Sequence, residues 1–281
     1  MLLVKYSNEV RLKNGQIYSL DMVRLTLEFY EDEMQTFLDW LSQYNLYGDE
    51  IDVKHWLSTS EFKYRDMFNV VTPDYSFALG VGMNARREDR YKGYIEFNPN
   101  KCQGEAFSAV WNRIVTHCLR SDVARYDLAI DIPLPRYLCR LGQPGKMTYH
   151  HYRKNGVDTE YLGERNHVGF VKLYDKKAES KLDYDLTRLE ITCETMNFKW
   201  PEVNILPLQN ELNFAELSDT EKVLIQLLKV VGDQSLYLKQ LQYRKRKKIE
   251  PYLWADTVQL DETAYFEILK QVKSYIFPSV L

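Results

Sequence analysis

The sequence predicts an α+β fold, in which a central and largely antiparallel sheet carries helices packed on one face and is followed by a helical C-terminal region. Three observations lead to this class. Several segments in the first two thirds of the 281 residues alternate apolar and polar side chains, as half-buried strands do. Helical apolar stripes lie between some of these strands. Only helical patterns follow at the end of the chain.

In the first half, strand and helix patterns follow one another. Residues 23–29 alternate between apolar and polar side chains, which predicts a strand, and residues 34–41 have the apolar spacing of an amphipathic helix. The helical spacing returns at 107–118. Between the two helices, strand-like runs occur at 66–71, 76–83 and 93–97, the last of which ends in the turn Asn98-Pro99-Asn100.

The second half begins with strands and ends with helices. A strand at 123–132 is stopped by Pro133, and further strand-like segments lie at 148–153, 157–162, 167–175 and 186–193. The capping box Ser218-Asp219-Thr220-Glu221 then opens a helix, and a last helix is expected at 261–276. We therefore expect an α+β domain over residues 1–205, with an N-terminal strand–helix portion, and a helical region over residues 206–281.

Composition narrows the class of protein without naming a function. The overall charge does not indicate a nucleic-acid-binding protein, because 37 basic and 40 acidic residues give a net charge of −3. Basic residues are nevertheless concentrated at 244–248, which read Arg-Lys-Arg-Lys-Lys. No apolar run approaches the ~18–20 residues of a membrane span, so we expect no membrane partner. The 4 cysteines form no CxxC pair, which fits a reducing cytoplasm and argues against a zinc ribbon.

Two of the predicted strands share a pattern that suits a metal ion. Residues 125–131 read RYDLAID and residues 188–192 read RLEIT, so each has an arginine followed two residues later by a carboxylate. If these strands are neighbours, about 4.8 Å apart, Asp127 and Glu190 can share one ion. Asp131 lies on the order of 13 Å along the strand from Asp127, so we do not expect both to bind the same ion directly. Such an oxygen site suits Mg²⁺ or Mn²⁺.

The same four side chains also have a purely structural interpretation. Asp127 and Glu190 can form salt bridges with Arg188 and Arg125 on a solvent-facing sheet. The residues alone leave the metal site and the ion pairs as alternatives.

A tyrosine between two lysines is the candidate nucleophile. Residues 171–177 read VKLYDKK, and strand alternation places Lys172, Tyr174 and Lys176 on one face. A phenol ordinarily titrates near pKa ~10, and neighbouring ammonium groups favour its phenolate, so Tyr174 is the tyrosine that we expect to act as a nucleophile. Tyr161, in the segment TEYLGER, is the second candidate.

These motifs carry a resemblance to a known family. The order RYDLAID, TEYLGE, VKLYDKK and TRLEIT resembles the replication initiators of rolling-circle plasmids, the Rep_trans family. YIEFNPNK at 94–101 also looks like an N-terminal feature of those proteins, and the resemblance is best over residues 94–193. The His-hydrophobic-His metal motif of many other rolling-circle nucleases is not evident. His150 and His151 are adjacent and point to opposite faces of a strand, which favours a carboxylate site.

The resemblance implies a function, a mechanism and partners. It implies a cytoplasmic plasmid protein, usually a homodimer, that binds its own double-strand origin and recruits a host superfamily 1 helicase. As a DNA nickase and strand transferase with topoisomerase-like rejoining, it would use Tyr174, or alternatively Tyr161, to form a 5′-phosphotyrosine and a free 3′-hydroxyl primer. Asp127 and Glu190, with Asp131 as a further candidate, would bind Mg²⁺ or Mn²⁺.

The remaining basic residues receive less specific roles. Lys172, Lys176, Arg125 and Arg188 would contact phosphate oxygens or hold the carboxylates. The region 206–281 would serve origin recognition or dimerisation, and its candidate DNA-binding residues are Arg244, Lys245, Arg246, Lys247 and Lys248. Two rival functions stay open at this point: a relaxase for conjugative transfer, and a DNA-binding regulator that has lost catalysis.

Overall fold

Strands dominate the fold. The computed structural model of the protein describes residues 9–44, 52–57, 64–71, 76–84, 90–102, 105–142, 148–154, 157–165, 167–194, 200–207, 214–230 and 234–276. Within these ranges, eleven strands form one sheet and three short strands form a second. Every pairing between them is antiparallel. The predicted α+β class with a largely antiparallel sheet is therefore confirmed.

The main sheet is built around two long central strands. Its strands, in chain order, are β1 (Glu9–Arg11), β2 (Ile17–Tyr30), β3 (Asp52–Leu57), β4 (Asp66–Val71), β5 (Ser76–Asn84), β6 (Arg90–Phe97), β7 (Arg120–Ile132), β9 (Tyr149–Lys154), β10 (Val157–Leu162), β11 (Val171–Asp175) and β12 (Thr187–Cys193). Their order across the sheet is β3-β4-β5-β6-β2-β7-β12-β11-β10-β9, and β1 pairs with β2. The strands β7, β12 and β11, which contain the sequence motifs, therefore lie side by side.

Short strands and helices complete the fold. The second sheet has the order β14-β13-β8 and consists of β8 (Cys139–Leu141), β13 (Val203–Ile205) and β14 (Asp256–Thr257). The helices are α1 (Glu31–Tyr44), α2 (Glu105–His117), α3 (Lys176–Ser180), α4 (Asp219–Val230), α5 (Gln234–Gln240), α6 (Tyr243–Ile249) and α7 (Glu262–Ser274). None of the described helices is long and apolar enough to cross a membrane.

One face of the main sheet is apolar and carries the helices. Leu25 of β2 shares a fully buried cluster with Phe37 of α1 and Ile114 of α2, and the aromatic rings of Phe97 and Trp111 lie 5.9 Å apart. Helix α7 packs on β2 and β7 and adds its own apolar residues to the same cluster. Burial of this apolar face against the helices makes a favourable contribution to the free energy of folding and so stabilises the sheet. It leaves the opposite face of the sheet available for polar side chains.

The C-terminal part divides between two clusters of buried residues. Helices α4 to α6 form a small separate cluster around Ile225, Leu228 and Ile249. Helix α7, in contrast, belongs to the main core through Ile268. A division of the chain at residue 205 stays a prediction.

Some elements carry no pattern that the sequence could reveal. The strands β8, β13 and β14 are two or three residues long, too short for an alternating pattern. The capping box is present as predicted, since the Ser218 amide donates to Glu221 Oε2 at 2.8 Å and the Glu221 amide donates to Ser218 Oγ at 3.3 Å.

Candidate active site

The polar face of the main sheet brings the two predicted carboxylates together. Strands β7 and β12 are adjacent, and their register sets Asp127 opposite Thr192 and Ala129 opposite Glu190. Asp127 and Glu190 are therefore diagonal neighbours on one face. The expectation that the two motif strands are neighbours is confirmed.

Asp127 is a partly buried carboxylate that lacks a full set of partners. Burial raises its pKa to about 6, and the nearby charges of Glu190 and Asp21 act in the same direction. A hydrogen bond from the Thr192 hydroxyl and the charge of Arg125 oppose this rise. Its Oδ1 atom is buried and has no hydrogen-bond partner among the described residues. A buried oxygen without a partner is costly, so this position fits a cation that would coordinate it.

Asp21 joins this site through an irregularity in β2. The register between β2 and β7 shifts between Leu20 and Met22, so Asp21 is an extra residue of a β-bulge. Its Oδ1 lies 3.4 Å from Arg188 Nη1, and its charge acts on Asp127. The sequence analysis did not identify Asp21, because regular alternation gives no indication of a bulge.

The turn after β6 braces this bulge. Asn98 Nδ2 donates to Asp21 Oδ1 at 3.2 Å, and Asn100 Nδ2 donates to the Leu20 carbonyl at 2.9 Å. The Asn100 amide in turn donates to Asn98 Oδ1 at 2.9 Å, which closes the turn. The motif YIEFNPNK therefore has a structural role beside the candidate site: it holds the bulge that presents Asp21.

Asp131 and Arg188 form a bidentate ion pair. Arg188 Nε and Nη2 donate to the two carboxylate oxygens of Asp131 at 2.6 and 2.8 Å. Both side chains are largely buried. The carboxylate of Asp131 is thus already neutralised, whereas that of Asp127 is not.

Arg125 lies on the other side of Asp127. One of its terminal nitrogens, Nη2, donates to Glu96 Oε2 at 3.3 Å, and Arg24 also approaches Glu96. The Nε atom of Arg125 is buried and has no acceptor among the described residues. An oxygen of a bound phosphate would satisfy this donor.

Tyr174 occupies the position beside Glu190. Its hydroxyl donates to Glu190 Oε1 at 2.5 Å, and the Lys172 ammonium lies 3.7 Å from the centre of its ring. The side chain is only 4% exposed. Burial and the negative charge of Glu190 raise the pKa of Tyr174. The expectation that neighbouring lysines favour the phenolate is therefore wrong for this arrangement, in which Glu190 stabilises the protonated phenol.

Lys172 and Lys176 each pair with a carboxylate, and neither pairs with the phenol oxygen of Tyr174. Lys172 Nζ lies 3.4 Å from Glu190 Oε2. Strand β11 ends at Asp175, and Lys176 begins α3, where its Nζ donates to Glu179 at 2.6 Å. Lys176 therefore does not continue the strand face, because the Asp175 side chain caps a helix at that point.

An open cleft of about 800 Å³ lies over this polar face. Asp127, Glu190 and Lys172 line it, and the half-buried Tyr161 forms part of its wall. Tyr161 pairs across the strands with Lys172 on one side and with His150 on the other. The structure therefore gives the two candidate tyrosines different environments: Tyr174 is hydrogen-bonded to a carboxylate, and Tyr161 faces the cleft.

A second group of metal-ligand types lies on the opposite face of the sheet. Atoms of His151, Asp158 and Glu160 lie within 4.8 Å of one another. Glu160 is fully buried and accepts from Arg136 Nη2 at 2.6 Å and from Arg140 Nη1 at 3.2 Å. Two guanidinium groups already compensate these carboxylates, so the cluster is an internal ion-pair network and a poor cation site.

The basic run 244–248 lies on α6. Three of its members are paired with carboxylates: Arg246 and Lys247 with Glu250, and Lys248 with Glu221. Arg244 is exposed. The run is thus helical, and its excess positive charge comes mainly from its first two residues.

The comparisons with known proteins find relatives that match part of the chain. No family model matches the chain. One replication initiation protein of Staphylococcus aureus is 31% identical over 100 residues, which is 35% of this chain and 32% of that protein. Another from the same organism is 31% identical over 99 residues, 34% of this chain and 32% of that protein. The match thus spans about a third of the length of these relatives.

The comparison with solved structures aligns one of them with this chain. It is described as the rolling circle replication initiator protein from Geobacillus stearothermophilus, with 12% identity, a TM-score of 0.38 and coverage of 92% of this chain and 97% of that one. The resemblance that the motifs indicated is confirmed over about a third of the chain, where the protein is similar to replication initiation proteins.

Proposed function

We propose that this protein initiates plasmid rolling-circle replication by nicking one strand of its own double-strand origin in a metal-dependent reaction. The similarity over 100 residues supports the role in replication initiation. The observation that supports the chemistry is Oδ1 of Asp127, which has no hydrogen-bond partner in the described part of the chain and lies diagonally to a Glu190 that is hydrogen-bonded to a tyrosine.

Asp127 and Glu190 would hold Mg²⁺ or Mn²⁺. Carboxylate oxygens are the ligands that these ions prefer, and an ion there would compensate the charges now crowded between Asp127, Glu190 and Asp21. When bound, the ion supplies Lewis-acid polarisation of the scissile phosphate. Asp131 was a further candidate ligand, but Arg188 occupies both of its oxygens. We assign this pair the task of fixing the strand face beside the site.

Tyr174 is the proposed nucleophile, and Glu190 its base. The phenol is protonated at neutral pH, and burial and Glu190 raise its pKa further above the ordinary tyrosine value, so attack requires transfer of its proton. The 2.5 Å hydrogen bond to Glu190 provides the route. The Tyr174 oxygen bonds to phosphorus, the bond from phosphorus to the 3′ oxygen breaks, and that oxygen leaves with a proton from solvent. The products are a 5′-phosphotyrosine and a 3′-hydroxyl.

Basic side chains around the cleft would hold the DNA. Arg125 has a buried Nε without an acceptor among the described residues, and Lys172 lines the cleft next to Glu190, so both are suited to phosphate oxygens. The basic run on α6 would add contacts to the origin. A homodimer, a host superfamily 1 helicase and a cytoplasmic location belong to the same proposal.

The experiment is a nicking assay on a supercoiled plasmid that carries the protein's own origin, with Mn²⁺, with Mg²⁺ and with EDTA. We expect metal-dependent relaxation and a protein–DNA adduct that mass spectrometry maps to Tyr174. Tyr174→Phe should abolish the adduct, and Tyr137→Phe, which changes an exposed tyrosine outside the cleft, should not.

The outcomes separate the rival interpretations. An adduct on Tyr161 would keep the function and replace the nucleophile. Specific origin binding without an adduct under any metal would refute the enzymatic proposal and favour a DNA-binding regulator. Cleavage of a transfer origin instead of a replication origin would favour a relaxase.

A further inference from the structure

We propose that Tyr152, Tyr161 and Phe170 form a stacking shelf that receives one unpaired base of the DNA strand whose phosphate lies at the carboxylate site. The inference rests on the proposed function, because that function is what places a DNA strand at the carboxylate site. It adds a base-binding subsite and assigns it to Tyr152 and Phe170, which have no part in the proposed chemistry, together with Tyr161, the alternative candidate nucleophile.

The three rings form a corner with one open side. The rings of Tyr161 and Phe170 are stacked, with centroids 5.8 Å apart and an interplanar angle of 18°. Tyr152 stands edge-on to Tyr161, with centroids 5.7 Å apart and an angle of 75°. Tyr152 is 58% exposed, whereas Tyr161 is half-buried, so the corner opens toward solvent at Tyr152. All three side chains line the 800 Å³ cleft.

The backbone fixes this corner. Tyr161 lies in β10 with paired neighbours on both sides, and Tyr152 lies in the adjacent strand β9. Phe170 is positioned by a turn in which Gly169 has φ +81°, a conformation that favours glycine. The Gly169 amide donates to the Thr192 carbonyl at 2.8 Å, and the Thr192 amide donates to the Phe170 carbonyl at 2.9 Å. The ring of Phe170 is therefore tied to the strand that carries Glu190.

The corner lies at a suitable place relative to the proposed chemistry. Cross-strand pairs run from Glu190 to Lys172 and from Lys172 to Tyr161. With strands about 4.8 Å apart, Tyr161 lies about 10 Å from Glu190 along this row. A nucleotide can span that separation between its phosphate and its base. Lys172 lies between the two positions, and the exposed Arg165 lines the same cleft, so positive charge accompanies the path.

An unpaired base is the occupant that fits this corner. Exposed aromatic rings beside cations are the recurring arrangement for binding single-stranded nucleic acid, because every base has a π-face that can stack. In a duplex, neighbouring base pairs cover both faces of each base, so the corner is closed to paired DNA. Stacking tolerates any base, so the shelf would position the strand and would not read its sequence.

The test measures binding without cleavage, in EDTA. The probes are fluorescein-labelled oligo(dT) of about 12 nucleotides, an abasic strand of the same length and charge, and a duplex of the same length, each titrated by fluorescence anisotropy. We expect the protein to bind oligo(dT) roughly 5- to 150-fold more tightly than the abasic strand, which is the range for one stacked base. Tyr152→Ala should bring this ratio close to one, and Tyr152→Phe should retain it.

The controls separate stacking from loss of the fold. Tyr152 is exposed, so Tyr152→Ala should leave the thermal unfolding midpoint unchanged, and Tyr137→Ala should leave the binding ratio unchanged. Equal affinity for oligo(dT) and the abasic strand, or an unchanged ratio in Tyr152→Ala, would overturn the shelf whatever the nicking assay shows. A ratio that depends on Tyr152, together with no protein–DNA adduct on any tyrosine under any metal, would support the shelf and refute the proposed function.

Discussion

Replacing Asp127 with asparagine should stabilise the metal-free protein at neutral pH. Burial, together with the charges of Glu190 and Asp21, raises the pKa of this carboxyl from 3.8 to about 6. At about 1.4 kcal/mol per pKa unit, the difference between these two values corresponds to about 3 kcal/mol of unfolding free energy. Asparagine has nearly the same shape and can still accept the hydrogen bond from Thr192. It removes the charge that makes the site unfavourable without a cation.

The sign of this effect depends on pH. Below about pH 3 the Asp127 carboxyl is protonated in both the folded and the unfolded chain, so its charge costs nothing. As the pH rises, the unfolded chain loses this proton first, and the unfolding free energy falls until the pH passes the folded-state value of about 6. The advantage of Asp127→Asn should therefore grow from near zero at about pH 3, through about 0.5 kcal/mol at pH 4, to about 3 kcal/mol at pH 7 and above.

Urea unfolding in EDTA across this pH range measures the effect. The matched control is Glu164→Gln, because Glu164 lines the same cleft but its side chain is 73% exposed, and we expect a change within about 0.5 kcal/mol at any pH. If Asp127→Asn is destabilising at pH 7, or its advantage does not change between pH 4 and pH 7, then the charge of Asp127 is not strained in the folded protein and the reasoning is wrong.

Three further changes test the supports of the site. In urea unfolding, Arg188→Ala should lower the unfolding free energy by about 3–5 kcal/mol, because it leaves Asp131 buried and unpaired. Adding Asp131→Ala should recover part of this loss. A loss below about 1 kcal/mol would contradict the buried pair. Asn100→Ala should lower the unfolding free energy by about 1 kcal/mol, because it removes the hydrogen bond to the Leu20 carbonyl. Thermal unfolding of this variant should also show a smaller stabilisation by Mn²⁺. An unchanged response to Mn²⁺ would mean that the bulge does not contribute to the metal site. Ser218→Ala should lower the unfolding free energy by about 1 kcal/mol because it removes the capping box of α4. The comparison in the same measurement is Ser274→Ala, which removes a hydroxyl at the C-terminal end of α7.

The sequence predicted the parts of the site that depend on local alternation. Asp127 and Glu190 each lie on the outward face of a strand with period-2 alternation, so pairing the two strands was enough to bring them together. The separate directions of His150 and His151 follow from the same period: His150 lines the cleft, and His151 bonds to Asp158 on the other face.

Other features depend on contacts that local patterns do not contain. Asp21 reaches the site only because β2 bulges, and Asn98, 77 positions later, holds that bulge. The ionisation of Tyr174 depends on its burial and on Glu190 in the neighbouring strand, which outweigh the lysines next to it in the sequence. Lys176 leaves the strand because Asp175 caps a helix there. Bulges and burial arise from tertiary structure, and a helix cap is a different local signal, so a strand period reveals none of them.

The most direct test of the account is a titration with Mn²⁺ of the protein without DNA, followed by electron paramagnetic resonance of the free ion. We expect the wild-type protein to bind one ion per chain at the cleft, and Asp127→Asn and Glu190→Gln each to lose at least tenfold in affinity. His151→Gln, which alters the cluster on the opposite face of the sheet, should bind as the wild type does. If His151→Gln loses the ion while Asp127→Asn and Glu190→Gln keep it, the metal centre is not the carboxylate pair of β7 and β12, and the account is wrong.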